Sequence, residues 1–316
     1  MSDTYAPILI SVYNRLDHLK QCIASLQTNS LSIETDLYVV SDAAFVSVDN
    51  IRVRAIRDYL THVKGFRRVV AINRDHNLGS YRSIKEALNT VIERHGRVIF
   101  LEDDNVVAPN FLEFVNTGLD FYAADSSIFS ISGYQYRVNI PESYPHAVYA
   151  WQGFSAWGVG IWFDRWQTID WCYPAAADLQ WGKPLRRGLD RIGEHVARQM
   201  QLDIARGRQI IDVMISYFLY RVQKYSVFPV VSKVRNVGHD GTGEHGHITD
   251  VYAQQIIDTG LPWQFVADLK PDKQIDQILR RHFSLSLRAR LALLLSGKLT
   301  FQQKQWLKRY IIRRSI

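Results

Sequence analysis

Arg97–Phe111 reads RVIFLEDDNVVAPNF, and this stretch decides how the rest of the chain is understood. A short apolar run, Val98–Leu101, ends in three consecutive carboxylates, Glu102, Asp103 and Asp104. The run has the length and the β-branched and aromatic content of a strand buried on both faces. Three like charges at a strand end repel one another unless a cation joins them. Hard divalent cations, Mn²⁺ or Mg²⁺, take carboxylate oxygens and complete their shell with substrate phosphates. Alone, the triplet also reads as a solvated acidic turn. Its place directly after a buried-looking strand favours a site.

Upstream, further β-rich runs occur at Ile8–Val12, 36–40 and 68–72, and another lies downstream at 128–131. Helical spacing separates them: Leu16, Leu19, Ile23 and Leu26 in the first interval, with Asp17 placed to cap it, and Ile84, Leu88, Val91 and Ile92 in the third. Apolar strands separated by helices predict an α/β fold, a mostly parallel Rossmann-like sheet with flanking helices. Ligands of such sheets bind beyond the carboxyl ends of the strands. Each strand here is followed by polar residues: Tyr13, Asn14 and Arg15; then Ser41 and Asp42; then Asn73, Arg74 and Asp75; and last the triplet. Four polar groups converging on one edge predict a binding site there.

From Tyr134 the texture changes. Six of the eight tryptophans fall between Trp151 and Trp181. A helical pattern follows around Asp212–Tyr220, then a strand-like 227–231, then the glycine-rich RNVGHDGTGEHGH of 235–247. Most of the tryptophans read as core. Sugar C–H faces also stack on aromatic rings, and Trp157, in the SAWG turn, is the ring to place at an acceptor, with Gln152 and Ser155 near enough in sequence to grip hydroxyls.

The chain has 316 residues, 47% of them hydrophobic and 22% charged, which describes a folded protein rather than a disordered one. Cys22 and Cys172 are the only cysteines, so no disulfide framework is expected and a reducing cytoplasm fits. No run approaches the roughly 18 apolar residues of a membrane-spanning helix, and no signal-peptide pattern is seen at the start. The net charge of +7 sits in one place: 277–316 hold ten Lys or Arg and no acid, leaving 28 basic against 31 acidic residues elsewhere. A basic amphipathic helical tail of this kind lies on an anionic membrane surface or packs against the main body with its basic face solvated. Base-stacking and groove-reading motifs are absent, so no nucleic-acid partner is expected.

YNRLDHL, NLGSYRSIKEAL, LEDDNVVAPNF and FSAWGVGIW, in this order, resemble a bacterial GT-A-fold glycosyltransferase. More distantly they are similar to the Golgi N-acetylglucosaminyltransferase family that begins complex N-glycan branching. The resemblance runs from about Pro7 to His247. It implies a GT-A domain over 1–268, with a nucleotide-sugar half (1–132) and an acceptor and lid half (133–268), and leaves 269–316 as the tail.

The resemblance implies roles residue by residue. Asp104 would ligate the metal, with Glu102 and Asp103 near the ribose and the metal's waters. Arg15 would lie by the donor diphosphate, beside Tyr13 and Asn14, and Asn77 would line the same donor site. Asp42 would accept a hydrogen bond from uracil. Arg15 also reads as a surface arginine, and Asp42 as a turn former. Asp212 matches the family's catalytic base, and its place at a helix start favours the ionised form a base needs; an ordinary helix cap is the competing reading, and Asp164 and Asp170 are rivals. The glycine-rich loop would close over the nucleotide-sugar, with His239 and His245 against the donor and a histidine available to the metal.

These readings converge on metal-dependent transfer of a sugar, with inversion, from a nucleotide-sugar, UDP foremost, to a glycan or lipid-linked acceptor. The setting implied is bacterial surface polysaccharide or lipopolysaccharide synthesis, in the cytoplasm or peripherally at the inner membrane face. A nucleotidylyltransferase is a rival, but the stretch after the first strand, SVYNRLDHL, lacks the glycine of a triphosphate loop. A non-catalytic glycan-binding or scaffold protein of the same fold is the other.

Overall fold

Four parallel strands form the first half of the sheet: β1 (Ile8–Val12), β2 (Asp36–Ser41), β3 (Arg68–Asn73) and β4 (Arg97–Glu102). A computed structural model describes residues 5–243, 248–258, 260 and 262–284. Helices α1 (Leu16–Gln27), α2 (Asn50–Leu60) and α3 (Ser80–His95) return the chain between these strands. Alternation along β1 divides the core between two faces. Ile8 and Ile10 pack with Leu19, Ile23 and Leu26 of α1, whereas Leu9 packs with Leu88, Val91 and Ile92 of α3. Each such side chain, removed from water, contributes about 1.5–3 kcal/mol before the cost of ordering the chain. The α1 spacing is as the sequence reads, but Arg15 occupies the N-cap position without a side-chain capping bond, and Asp17 lies inside the first turn.

The second half of the sheet holds β6 (Ile128–Ser132), β7 (Val148–Trp151), β8 (Val159–Trp162) and β9 (Tyr225–Pro229). The order across all eight strands is β3-β2-β1-β4-β8-β6-β9-β7. β8 runs antiparallel to both β4 and β6, and β7 antiparallel to β9, so six strands share one direction and two oppose it. The mostly parallel sheet is present, with two reversed strands inside the tryptophan-rich segment that the sequence does not display. Each is four residues long, too short to express a period-two pattern among surrounding aromatics. A separate ribbon pairs β5 (Asn105–Val107) with β10 (Val234–Asn236), clasping the segment after the triplet to the strand before the glycine-rich loop.

Helix α4 (Phe111–Phe121) covers one face of the sheet, and Trp263, Phe265 and Leu269 return to pack on that side. The short α5 (Phe163–Trp166) ends β8, and α6 (Pro184–Ile192), α7 (Glu194–Arg206) and α8 (Ile211–Val222) follow with a small core around Leu189, Met200 and Tyr217. Helix α9 (Lys273–His282) is capped by Asp272, whose carboxylate accepts from Gln274 N at 2.8 Å and Ile275 N at 2.9 Å. Its Ile275 and Leu279 are buried against Tyr149, Trp151 and Phe228. The first part of the basic tail therefore packs on the body through an apolar stripe. Residues 285–316, on which the amphipathic reading chiefly rests, lie outside the described residues. No described helix is long and apolar enough to cross a membrane.

Candidate active site

Strand direction brings the site together. β1, β2 and β4 all end at one edge, so Tyr13–Arg15, Asp42 and Glu102–Asp104 share it. β8 is reversed and therefore begins there: Val159 lies opposite Phe100, and the preceding Phe154–Trp157 turn is delivered beside the triplet. Helix α8 is joined to β9 by two residues and returns along it for about 18 Å at 1.5 Å per residue, placing Asp212 at the same edge. Gly158 allows this close approach: its φ is +73°, and a Cβ there would lie 2.7 Å from Val234 Cγ2 and 2.9 Å from the Phe111 ring.

Within the triplet each carboxylate has a different set of partners. Arg15 Nη2 pairs with Asp103 Oδ1 and, at 2.7 Å, with Asp104 Oδ2. Asp104 Oδ1 accepts from Asn236 Nδ2 at 2.7 Å and Asn105 Nδ2 at 3.1 Å. Glu102 Oε2 accepts from the Trp157 indole Nε1 at 2.9 Å. Asp103 and Asp104 are 4% and 6% exposed, so their charge is poorly solvated. Burial pushes Asp103 up to about 7, against the pull of Arg15 and with the push of Asp104. Burial also raises Glu102 well above the ordinary carboxylate range, and the negative charges of Asp104, Asp212 and Asp103 add to it. For Arg15, burial opposes the charge, but Asp103 and Asp104 outweigh it and hold the guanidinium firmly protonated.

The turn before β8 joins the two parts of the site. Ala156 N donates to Asp212 Oδ2 at 3.1 Å, and the next residue, Trp157, donates to Glu102. The other oxygen of Asp212, Oδ1, receives no hydrogen bond from another described residue. Burial pushes Asp212 up to about 6, partly offset by the Ala156 amide. The helix start at which Asp212 sits therefore does not dominate; desolvation does. Asp212 is still mostly ionised at neutral pH.

Tyr13, Asn14, Asp42 and Asn77 are partnered within their own edge of the sheet. Tyr13 Oη and Asn14 Nδ2 donate to Asp49 at 2.8 and 3.0 Å, fixing the loop after β2. Asp42 Oδ1 accepts from Ala43 N at 2.9 Å and Leu78 N at 3.0 Å, and Asn77 Nδ2 donates to Ala43 O at 2.7 Å. Together these bonds tie the loop after β2 to the start of α3. His239 stands at the triplet's far side, its Nδ1 3.0 Å from Asn236 Oδ1 and its ring 4.4 Å from Tyr252 and 5.8 Å from Trp157. His245 lies outside the described residues. Asp164 and Asp170 face away from the cluster, paired with Arg165 and Arg221. Trp151, Trp162 and Trp166 are core, as the sequence reading has most of the tryptophans, and Trp157 is the one that reaches the triplet. Of the two polar neighbours, Ser155 is buried and Gln152 Nε2 is buried without a partner among the described residues.

Sequence reasoning passed over Asn236, Asn105, Ala156 and Tyr252. Asn236 stands at the start of the glycine-rich segment and sits on the ribbon strand that carries the loop to Asp104, where Val237 N donates to Asp104 O at 2.9 Å. Gly238 then passes so close that a Cβ would run into Asp104 Oδ2 and lie 2.8 Å from Arg15 Nη1. The glycine content of 238–243 is the one signal that announced this approach.

No group of three metal-binding side chains is gathered among the described residues. The donor set nevertheless fits a divalent cation of the kind that takes most of its shell from phosphate and water. Three carboxylates share the site with one guanidinium, which pairs with two of them, and burial holds Glu102 and Asp103 above the ordinary carboxylate range. Asp104 Oδ2, which here pairs with Arg15 Nη2 at 2.7 Å, is the oxygen that would ligate such a cation, the other being held by two amides.

A mostly parallel sheet with a buried carboxylate triplet at the carboxyl end of its central strand, facing a basic residue from the first strand, defines a GT-A-type glycosyltransferase. The chain belongs to the GNT-I family, whose family model matches residues 2–207. The match includes the triplet and the SAWG turn and ends before Asp212 and Asn236. No curated protein sequence matches the chain significantly. Among solved structures it is similar to a mannosyltransferase from Pyrobaculum calidifontis in complex with GDP-Man and Mn²⁺, at 15% identity and TM-score 0.38 over 69% of this chain and 71% of that one. It is similar to S. aureus TarS at 12% identity and TM-score 0.44, over 96% of this chain and 47% of that one, so it spans about half of TarS. An active-site mutant of LgtC matches at 15% identity and TM-score 0.37, over 68% and 70% of the two chains.

Proposed function

We propose that the protein transfers a sugar from a nucleoside-diphosphate sugar, UDP foremost, to a hydroxyl of a glycan or lipid-linked acceptor, with dependence on Mn²⁺ or Mg²⁺ and inversion at the anomeric carbon. The observation that carries this reading is the bridge through Ala156 and Trp157, which holds Asp212 and Glu102 on neighbouring residues of one turn. A triplet that was merely a solvated acidic turn would have no reason to be wired to a fourth, distant carboxylate.

Arg15 lies where it pairs with the donor's diphosphate, and Asp104 Oδ2 faces the same space. A divalent cation held by Asp104 would neutralise the charge that develops on the departing nucleotide. Asp212 Oδ1 takes the proton of the acceptor hydroxyl; the freed oxygen attacks the anomeric carbon, and the bond to the nucleoside diphosphate breaks on the opposite side. Trp157 keeps Glu102 oriented and presents its ring to the acceptor sugar. The loop over 237–243, with 244–247 beyond the described part, covers the donor and keeps water, the competing nucleophile, away. A bacterial surface polysaccharide or lipopolysaccharide is the acceptor class this reading favours.

Calorimetric titration with UDP, GDP, CDP and ADP, with and without Mn²⁺, tests it. One nucleotide should bind only with metal, and Asp104→Asn should abolish that binding. Failure of all four to bind with metal would leave a glycan-binding scaffold as the better reading. Binding by Asp104→Asn with unchanged metal dependence would remove Asp104 as the ligand.

A further inference from the structure

A concavity opens beyond Trp157 and Tyr252 from the triplet. It has a volume of about 840 Å³ and lies between the segment after β6, the start of α7, the segment after β9, residues 251–256 and the end of α9. Its charged lining is basic, Arg137 and Arg198, with His195 and His282 beside them and no carboxylate among the described residues that line it. Neither arginine makes a hydrogen bond or salt bridge to another described residue. Glu194, one turn before Arg198 on α7, attracts it electrostatically but does not line the cavity.

Two further polar groups on its wall are buried without partners among the described residues. His195 Nδ1 is buried without a partner among the described residues, its ring stacked 3.8 Å from Phe283. Burial, then the charges of Arg198 and His282, push His195 down to about 3, and burial with Arg137 lowers His282. Two guanidiniums and a buried imidazole nitrogen without a partner, with no carboxylate lining the space between them, are the complement of a bound oxyanion. Gln255 adds a buried amide on the same wall: its Nε2 donates to Gln135 O at 2.6 Å while its Oε1 stays unpartnered among the described residues. Such an amide oxygen suits a sugar hydroxyl.

The cavity adjoins the reaction centre. Tyr252 lines it, and the Tyr252 ring lies 5.5 Å from Trp157, whose indole reaches Glu102, and 4.4 Å from His239. One aromatic layer separates the two. The volume is in the range that holds a small oligosaccharide segment rather than a single ion.

We propose that this cavity is the acceptor's anion subsite: the protein glycosylates an acceptor carrying an oxyanion, a phosphate or a carboxylate on a nearby sugar, which Arg137 and Arg198 grip. The inference deepens the proposed function and rests on the acceptor lying on the Trp157 side. Arg198 reaches in from a helix and holds the group in place, whereas Arg137, on an exposed loop, draws it in from solvent.

The test is saturation-transfer NMR on the full chain with matched sugars: mannose 6-phosphate against mannose, and glucuronic acid against glucose, each with and without UDP and Mn²⁺. The charged member of at least one pair should bind about tenfold more tightly than its neutral parent at low salt, as charge-assisted bonds to arginine imply. The pair with the larger difference names the anion. Inorganic phosphate should compete if that anion is phosphate. The Arg137→Ala/Arg198→Ala variant should lose the preference and keep its nucleotide affinity; Arg137→Glu, at an exposed position, supplies the same test should the double variant not fold. Equal binding of charged and neutral sugars would overturn the proposal, as would a preference that survives both variants. Displacement of the sugar anion by UDP and Mn²⁺ would also overturn it, by placing the anion at Arg15 instead. If no nucleotide binds but the anionic sugars do, the transferase reading falls while the subsite stands.

Discussion

Replacing Asp212 by Asn changes one oxygen for an NH₂ and almost nothing else. The amide oxygen still accepts from Ala156 N, a bond of 3.1 Å in the native protein, so the start of α8 and the turn before β8 should keep their places. What is lost is the ability to take a proton. Loss of a positioned general base costs about 10²–10⁴ in rate, or roughly 3–5 kcal/mol on the barrier. Turnover should fall by that factor while donor affinity stays within about twofold of native, since Asp212 touches none of the donor-side groups. The pH profile is a second, independent readout. With Asp212 raised to about 6, the base is ionised in roughly nine tenths of molecules at pH 7 and one tenth at pH 5, so native turnover should be full above that value and drop about tenfold per unit below it. Because the group is an acid whose pKa is raised, the active form is the one present above about 6 and lost as pH falls. The assay is transfer at saturating nucleotide-sugar and Mn²⁺ across pH 4.5–8, read as release of the nucleotide. Near-native turnover by Asp212→Asn, or a native profile flat through pH 6, would show that the proton goes elsewhere.

Two further outcomes follow from contacts at the triplet. Gly238→Ala puts a methyl group into Asp104 and Arg15, so the loop must retreat at an overpacking cost of about 1–3 kcal/mol; metal-dependent nucleotide affinity should fall while the melting temperature moves little, and an unchanged affinity would refute the close approach. Trp157→Phe keeps a ring between Tyr134 and Tyr252 but removes the Nε1–H donor that orients Glu102, a hydrogen bond worth about 0.5–1.5 kcal/mol, so catalytic turnover should fall about two- to tenfold with the fold intact by circular dichroism; native turnover would make the indole a packing residue only.

In the first half of the fold the four strands, α1 and α3 could be read from the sequence because each is long enough to show its period, whereas α2 was passed over. β1 to β4 carry continuous apolar runs, and α1 and α3 repeat their buried residues at helical spacing over 12 and 16 residues. The triplet could be read because strand and charges are contiguous. The second half was harder to read, for reasons of length and distance. β7 and β8 have four residues each, and β5 and β10 three, and none of them shows a periodicity. Asn236 lies 132 residues from Asp104, and the Ala156 amide lies 56 from Asp212; only the sheet brings such pairs together. The Tyr13 and Asn14 side chains have partners that contiguity does not display. Their place after β1 is as expected, yet both turn to Asp49, a residue with no motif to mark it, because a buried-edge aspartate near two donors is satisfied locally.

The reversed direction of β8 has a consequence for how much this protein can vary. The span between the group that would accept the proton and the group that would face the departing nucleotide is gauged by a ladder, β4 on β8, and not by the reach of a loop. Slipping that ladder by one residue would turn Trp162 and Ile161 to the opposite faces and carry the Ala156–Trp157 turn off both carboxylates. Insertions and deletions elsewhere, in the segment between β6 and β7 or in α6 and α7, leave the gauge unchanged. Relatives of this chain with different acceptors can therefore differ widely in those segments, provided that the count of residues from Arg97 to Glu102 and from Ala156 to Trp162 is kept.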